Sequence, residues 1–168
     1  AELGDVDAMF SLGFCYELGW GAEQDYVEAM KWYRQAAEAG NTLAMLNLGT
    51  FYVYGQGVEQ DYVEAVKWLR QAAEAGHAPA MNALGSCYAN GQGVEQDYVE
   101  AVKWHRQAAE LGSAPAMNSL GSRYANGQGV EQDYAEAVKW HQQAAELGNV
   151  YAMFNLGLCY ANGQGVEQ

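Results

Sequence analysis

Small and apolar residues recur along this chain at helical spacing. In TLAMLNLGTFYVY, residues 42–54, Ala44, Met45, Leu48, Gly49 and Tyr52 fall at i, i+1, i+4, i+5 and i+8, one stripe of an amphipathic α-helix. In DYVEAVKWLRQAAEAG, residues 61–76, Tyr62, Ala65, Val66, Trp68, Leu69, Ala72 and Ala73 share one broad face, and Glu64, Lys67, Gln71 and Glu74 share the other. The pattern predicts two helices joined by a turn. Glycines follow both: Gly55 and Gly57 after the first, Gly76 after the second. A residue without a Cβ suits the left-handed position that closes a helix.

The same pair of stripes returns along the chain. Trp32, Trp68, Trp104 and Trp140 stand 36 residues apart, as do Gly40, Gly76, Gly112 and Gly148. On that period the chain reads as four units, 5–40, 41–76, 77–112 and 113–148, a half unit, 149–168, and a tail of a missing unit at 1–4. Units three and four differ at five of 36 positions. A two-helix unit cannot bury its own apolar faces, and stacked neighbours make the core continuous. The expectation is one all-α domain over 1–168, with Ala44, Gly49, Ala65, Ala72 and Ala73 allowing close approach and Trp68, Tyr52 and Tyr62 filling the space between helices.

The segment GQGVEQDY, at 55–62, 91–98 and 127–134, raises the question of chemistry. A phosphate loop needs G-x-x-x-x-G-K-[ST], and neither Lys nor Ser/Thr is in this run. A calcium loop needs alternating acidic ligands, and Val58 and Gln60 interrupt it. Asp61 followed by Glu64, repeated as Asp25/Glu28, Asp97/Glu100 and Asp133/Glu136, is a D-x-x-E relative of the capping box. The segment reads as turn and cap.

The unit A-M-x-x-L-G-x-x-Y-x-x-G-x-G-V-x-x-D-Y-x-E-A-x-x-W-x-x-x-A-A-x-x-G resembles the Sel1-like repeat, a relative of the tetratricopeptide repeat. In the third unit it is carried by Ala80, Met81, Leu84, Gly85, Tyr88, Gly91, Gly93, Val94, Asp97, Ala101, Trp104, Ala108, Ala109 and Gly112. The resemblance covers essentially the whole chain. It implies a right-handed α/α superhelix, a solenoid of 36-residue helix-turn-helix repeats whose first helices line a concave side. It also implies an adaptor that assembles other proteins, with bacterial members often at the envelope, secreted or linked to virulence. One departure is ELGWGAEQ at 17–24, which puts Trp20 and Ala22 where Gln and Val stand elsewhere.

Charge and cysteines narrow the partners. Eight basic against 21 acidic residues leave a net charge of −13, which repels phosphate backbones and anionic lipid and leaves a basic partner open. No apolar run reaches the ~18 residues of a membrane helix, and AELGDVDAMF shows no signal peptide. Members of the family rich in disulfides pair cysteines between the helices of one repeat. Here Cys15, Cys87 and Cys159 all hold the same first-helix position, with Phe51 and Arg123 at its equivalents. Two repeats separate neighbours, roughly 20 Å at ~10 Å per packed helix, against the ~6 Å that a disulfide spans. Free thiols favour a reducing compartment, while the resemblance also allows a periplasmic or secreted one.

His105 and His141 read as partly buried spacers on the edge of the second-helix face, and His77 as a surface residue. No nucleophile–base–acid set stands out, and no metal or cofactor is expected. Function is expected where the repeats differ, on the outward face of each first helix. That face carries Phe10, Phe14 and Leu18, then Leu43, Leu46, Asn47 and Tyr54. It continues as Asn82, Ser86 and Asn90, as Asn118, Ser122 and Asn126, and as Phe154 and Leu158. Apolar residues flank an amide- and hydroxyl-rich middle, a pattern that suits anchor side chains and an extended peptide backbone. The expected function is a noncatalytic scaffold for a protein or peptide partner. The alternatives are self-association through exposed terminal repeats, and an envelope glycan binder or hydrolase.

Overall fold

The structure, a computed structural model, describes residues 5–165. Among the described residues there are nine α-helices and no strand: α1 (Val6–Leu18), α2 (Tyr26–Glu38), α3 (Thr42–Tyr54), α4 (Tyr62–Glu74), α5 (Ala78–Asn90), α6 (Tyr98–Glu110), α7 (Ala114–Asn126), α8 (Tyr134–Glu146) and α9 (Val150–Ala161). Two helices per 36 residues is the alternation expected from the stripes. The tail expected at 1–4 and the last three residues, 166–168, lie outside the described residues. The backbone forms two compact units, Ala1–Ala80 and Met81–Gln168. In the first, α2 packs against α1 and α3, and α3 against α4. In the second, α7 packs against α6 and α8, and α8 against α9.

Local chemistry sets the helix ends. The Asp61 carboxylate accepts from the Val63 and Glu64 amides at 2.9 and 3.0 Å, and Asp25 does the same one repeat earlier, satisfying amides that have no partner inside the helix. The glutamate does not complete a capping box. Its carboxylate turns outward to the lysine three residues on, Lys67 Nζ to Glu64 at 2.6 Å. At the far end of α4 the Gly76 and His77 amides donate to the Ala73 and Ala72 carbonyls, a Schellman close.

The GQGVEQDY segment does more than punctuate. The Gln60 side-chain amide donates to the Val53 carbonyl and the Tyr62 hydroxyl, and the Asp61 amide donates to the Tyr52 carbonyl. Gln24, Gln96 and Gln132 repeat the clamp. Of the two loop glycines, Gly55 ends α3 in the left-handed region, as expected. The second kind serves a different purpose: a Cβ on Gly129 would lie 2.1 Å from the Tyr98 carbonyl oxygen, and one on Gly57 2.6 Å from the Tyr26 carbonyl carbon. This glycine seats the loop on the second helix of the preceding repeat.

Inside each repeat the two helices meet at a first-helix glycine. Cβ atoms on Gly13, Gly49, Gly85 and Gly121 would fall under 3 Å from Tyr33, Leu69, His105 and His141. His105 and His141 are therefore 1% and 2% exposed, fully interior rather than on the edge of the apolar face, because the residue at that register plugs the helix crossing. His77 is half-buried rather than on the surface. The tryptophan ladder is core only in part: Trp68 is buried, and Trp32, Trp104 and Trp140 are half-buried. Between repeats, the Arg34 guanidinium donates to the Tyr52 hydroxyl at 2.6 Å and Arg106 to Tyr124 at 2.7 Å.

Candidate interaction faces of the first helices

In the first unit the outward faces of α1 and α3 are apolar and partly open. Phe10 is half-buried with its ring 5.6 Å from that of Tyr33, and Phe14 stacks beside it at 6.4 Å. Trp20 meets Phe14 edge-on at 5.6 Å and is 63% exposed. Leu18, Leu43 and Tyr54 are exposed, and Leu46 and Asn47 are half-buried. The Tyr33 side chain is buried beneath this patch, its hydroxyl donating to Glu17 and influenced by Asn47. Burial, then Glu17, push its pKa far upward, so it stays a neutral donor. Trp20 is the member that helical spacing alone does not assign, since it sits in a turn.

In the second unit the corresponding faces form a paired amide row. The Asn155 side-chain NH₂ donates to the Asn118 Oδ1 at 3.0 Å, and the Ser119 hydroxyl, shared with the Pro115 carbonyl of its own helix at 3.1 Å, lies 3.4 Å from the Asn82 Oδ1. Ser86 and Ser122 return their hydroxyls to the carbonyls of Asn82 and Asn118 in their own helices, as mid-helix serines do. The row is thus neither an array of free groups nor one dissolved in solvent: neighbouring repeats hold one another's amides, and the hydroxyl oxygens keep acceptor capacity. Asn90 and Asn126 are exposed at the helix ends, and Phe154 and Leu158 project from α9.

A cavity of about 220 Å³ opens in this row. Ser122 and Asn126 of α7 face Asn155, Leu158, Cys159 and Asn162, and His141 of α8 and Gln164 complete the lining. Burial pushes the His141 pKa down and the Cys159 thiol up, so both favour their neutral forms. The cavity therefore offers uncharged amides, a hydroxyl and a thiol. Spacing did not single out Cys159, His141 or Gln164 as site residues, because each repeats a packing position. Only the contrast between repeats sets them apart.

Cys15 is half-buried, Cys87 and Cys159 are buried, and all three are free thiols. Among the described residues no group of three or more His, Cys, Asp or Glu is placed to hold a metal ion, and no helix is long and apolar enough to cross a membrane.

The Sel1 repeat matches residues 6–41, 42–77, 78–113, 114–149 and 150–168. Among solved structures, c5321, a protective antigen present in uropathogenic Escherichia coli strains that displays an SLR fold, superposes with a TM-score of 0.94 at 40% identity over 100% of this chain and 36% of its own. A Sel1 repeat protein from Oxalobacter formigenes gives 0.89 at 39% identity over 97% of this chain and 67% of that one. The immunity protein Pa5087 from Pseudomonas aeruginosa gives 0.61 at 26% identity over 90% of this chain and 56% of its own. The chain thus spans about a third of the length of the first of these. No curated protein matches it.

Proposed function

This chain belongs to the Sel1 repeat family, whose solenoids commonly serve as protein-interaction scaffolds and are generally noncatalytic, and we propose that it holds a protein segment on the outward faces of its first helices. The observation that carries the reading is the open cluster of Phe14, Trp20 and Leu18 on α1 and the turn that follows it. Large apolar side chains left in solvent on an outward helix face suit a partner's anchor residues. In the second unit the amide row carries the donor and acceptor types that a peptide backbone pairs with.

Affinity capture from lysate of the source cells tests the reading. Wild type is compared with a variant carrying Phe14→Asp, Leu46→Asp and Asn118→Ala, after circular dichroism has shown equal helicity. A protein retained by wild type and lost by the variant supports the first-helix faces. Equal retention moves the site elsewhere.

A second reading, self-association, is favoured by one observation. Met153 of α9 is 48% exposed, whereas Met45, Met81 and Met117 at the same register are 7–8% exposed. Light scattering across a range of concentrations separates it from the first, since a monomer at all concentrations rules it out.

A further inference from the structure

We infer that the cavity between α7, α8 and α9 receives an arginine side chain of the partner, an inference that rests on the scaffold reading above and names the chemistry of what is held. The warrant lies one repeat earlier. Arg123 stands on α7 where Cys159 stands on α9, 36 residues on. Its guanidinium donates from Nη1 to the Gln128 Oε1 at 2.7 Å and lies over the Tyr98 ring, 5.5 Å from the centroid, with His105 close enough to feel its charge. Each part of that frame recurs 36 residues later: Gln164 for Gln128, Tyr134 for Tyr98 and His141 for His105. Of these, Gln164 and His141 line the cavity together with Cys159, which ends at its sulfur where Arg123 carries a guanidinium.

The volume and lining agree with that occupant. About 220 Å³ lies below the roughly 300–1,000 Å³ of small-molecule pockets and fits a single side chain. Asn126, Asn155, Asn162 and Gln164 line it, and each carboxamide carries an oxygen that can accept from a group with five N–H donors and no acceptor. In the first unit Phe51 fills the same register, edge-on to Tyr26 at 5.8 Å, but an apolar ring in the later cavity would leave its amides without partners. Lysine fits less well, being a compact and strongly hydrated charge, whereas the planar guanidinium bridges a carboxamide and an aromatic face. The net charge of −13 draws a cationic segment toward the surface.

The experiment is a titration of the full chain with N-acetyl-arginine amide and with its citrulline and lysine counterparts, following the side-chain amide resonances of Asn155, Asn162 and Gln164 by NMR. The arginine compound is expected to give saturable shifts, with binding roughly tenfold or more tighter than for the other two. Cys159→Arg, which supplies the occupant from the chain itself, is expected to abolish the shifts with no loss of thermal stability, and Cys159→Ser to retain them. Absent shifts, equal shifts with citrulline, or shifts that persist in Cys159→Arg overturn the inference. The scaffold reading fails separately, through a partner whose capture ignores the Phe14→Asp and Asn118→Ala changes.

Discussion

The imidazole of His141 lies flat against Gly121: a Cβ on residue 121 would sit 2.8 Å from Cε1, 2.9 Å from Nδ1 and 3.0 Å from Nε2. Helix α7 therefore tolerates the weak helix former because α8 needs its space. Gly121→Ala gains up to about 1 kcal/mol in helix propensity, but it overpacks a closed crossing, which costs roughly 1–3 kcal/mol. The expected net result is destabilisation. At Gly157, the equivalent on α9, nothing lies within 4 Å of a Cβ, so Gly157→Ala should be neutral or stabilising. Urea unfolding of both variants checks this, and a stable Gly121→Ala protein would refute the account of the crossing.

His105 makes folding sensitive to acid. Burial and, after it, the charge of Arg123 push its pKa down to about 4, and burial moves His141 in the same direction. In the unfolded chain a histidine titrates near ~6.5. Between about 6.5 and about 4 the unfolded state binds a proton that the fold refuses, so stability falls as pH drops through that window, by on the order of 3 kcal/mol for His105. His105→Leu, which copies Leu69 at the same register, should flatten the dependence. Urea midpoints of the two proteins from about pH 7.5 to about 4.5 decide it, and parallel curves would exclude His105 as the cause.

Most of the fold was legible because the stripes at 44, 45, 48, 49 and 52 and at 62, 65, 66, 69, 72 and 73 repeat every 36 residues, so that stacked repeats cover one another's apolar stripes. Two features were not legible. A glycine that permits a left-handed turn and one that admits a neighbouring backbone look alike in sequence, so Gly57 passed for a second cap although it seats the loop on Tyr26. A histidine in the place of Tyr33 and Leu69 looked like a tolerated edge residue because its polarity outweighed its register. The faces at Phe14 and Asn118 followed from helical geometry, but the pairing of Asn155 with Asn118 depends on how closely neighbouring repeats approach, which period alone does not give.

The three cysteines, alike in register, should differ in reactivity. Cys87 and Cys159 are 4% and 5% exposed and burial raises their pKa, which lowers the share of nucleophilic thiolate at neutral pH. Cys15 is half-buried. Iodoacetamide at neutral pH should modify Cys15 several-fold faster than the other two under native conditions, with the difference lost in urea. Peptide mapping of a time course reads this directly, and equal rates in the folded protein would show that the repeats open faster than they are alkylated.

The two kinds of interhelical glycine give the sharpest contrast. Gly112 and Gly129 both have positive φ, 85° and 75°, so alanine at either bears the left-handed penalty of roughly 1–2 kcal/mol. Around Gly112 a Cβ would meet nothing within 4 Å, whereas at Gly129 it would lie 2.1 Å from the Tyr98 oxygen and 2.4 Å from its carbonyl carbon. Backbone cannot rotate aside as a side chain does, so the 127–133 loop must lift from α6. That movement also strains the Asp133 amide bond to the Tyr124 carbonyl and the Gln132 clamp on Ala125. Gly112→Ala should lose only the conformational penalty and keep cooperative unfolding. Gly129→Ala should lose clearly more and broaden the transition as the α6–α7 contact loosens. Urea unfolding followed by tryptophan fluorescence and by circular dichroism compares them, and equal losses would mean that the loop is not seated on the preceding repeat.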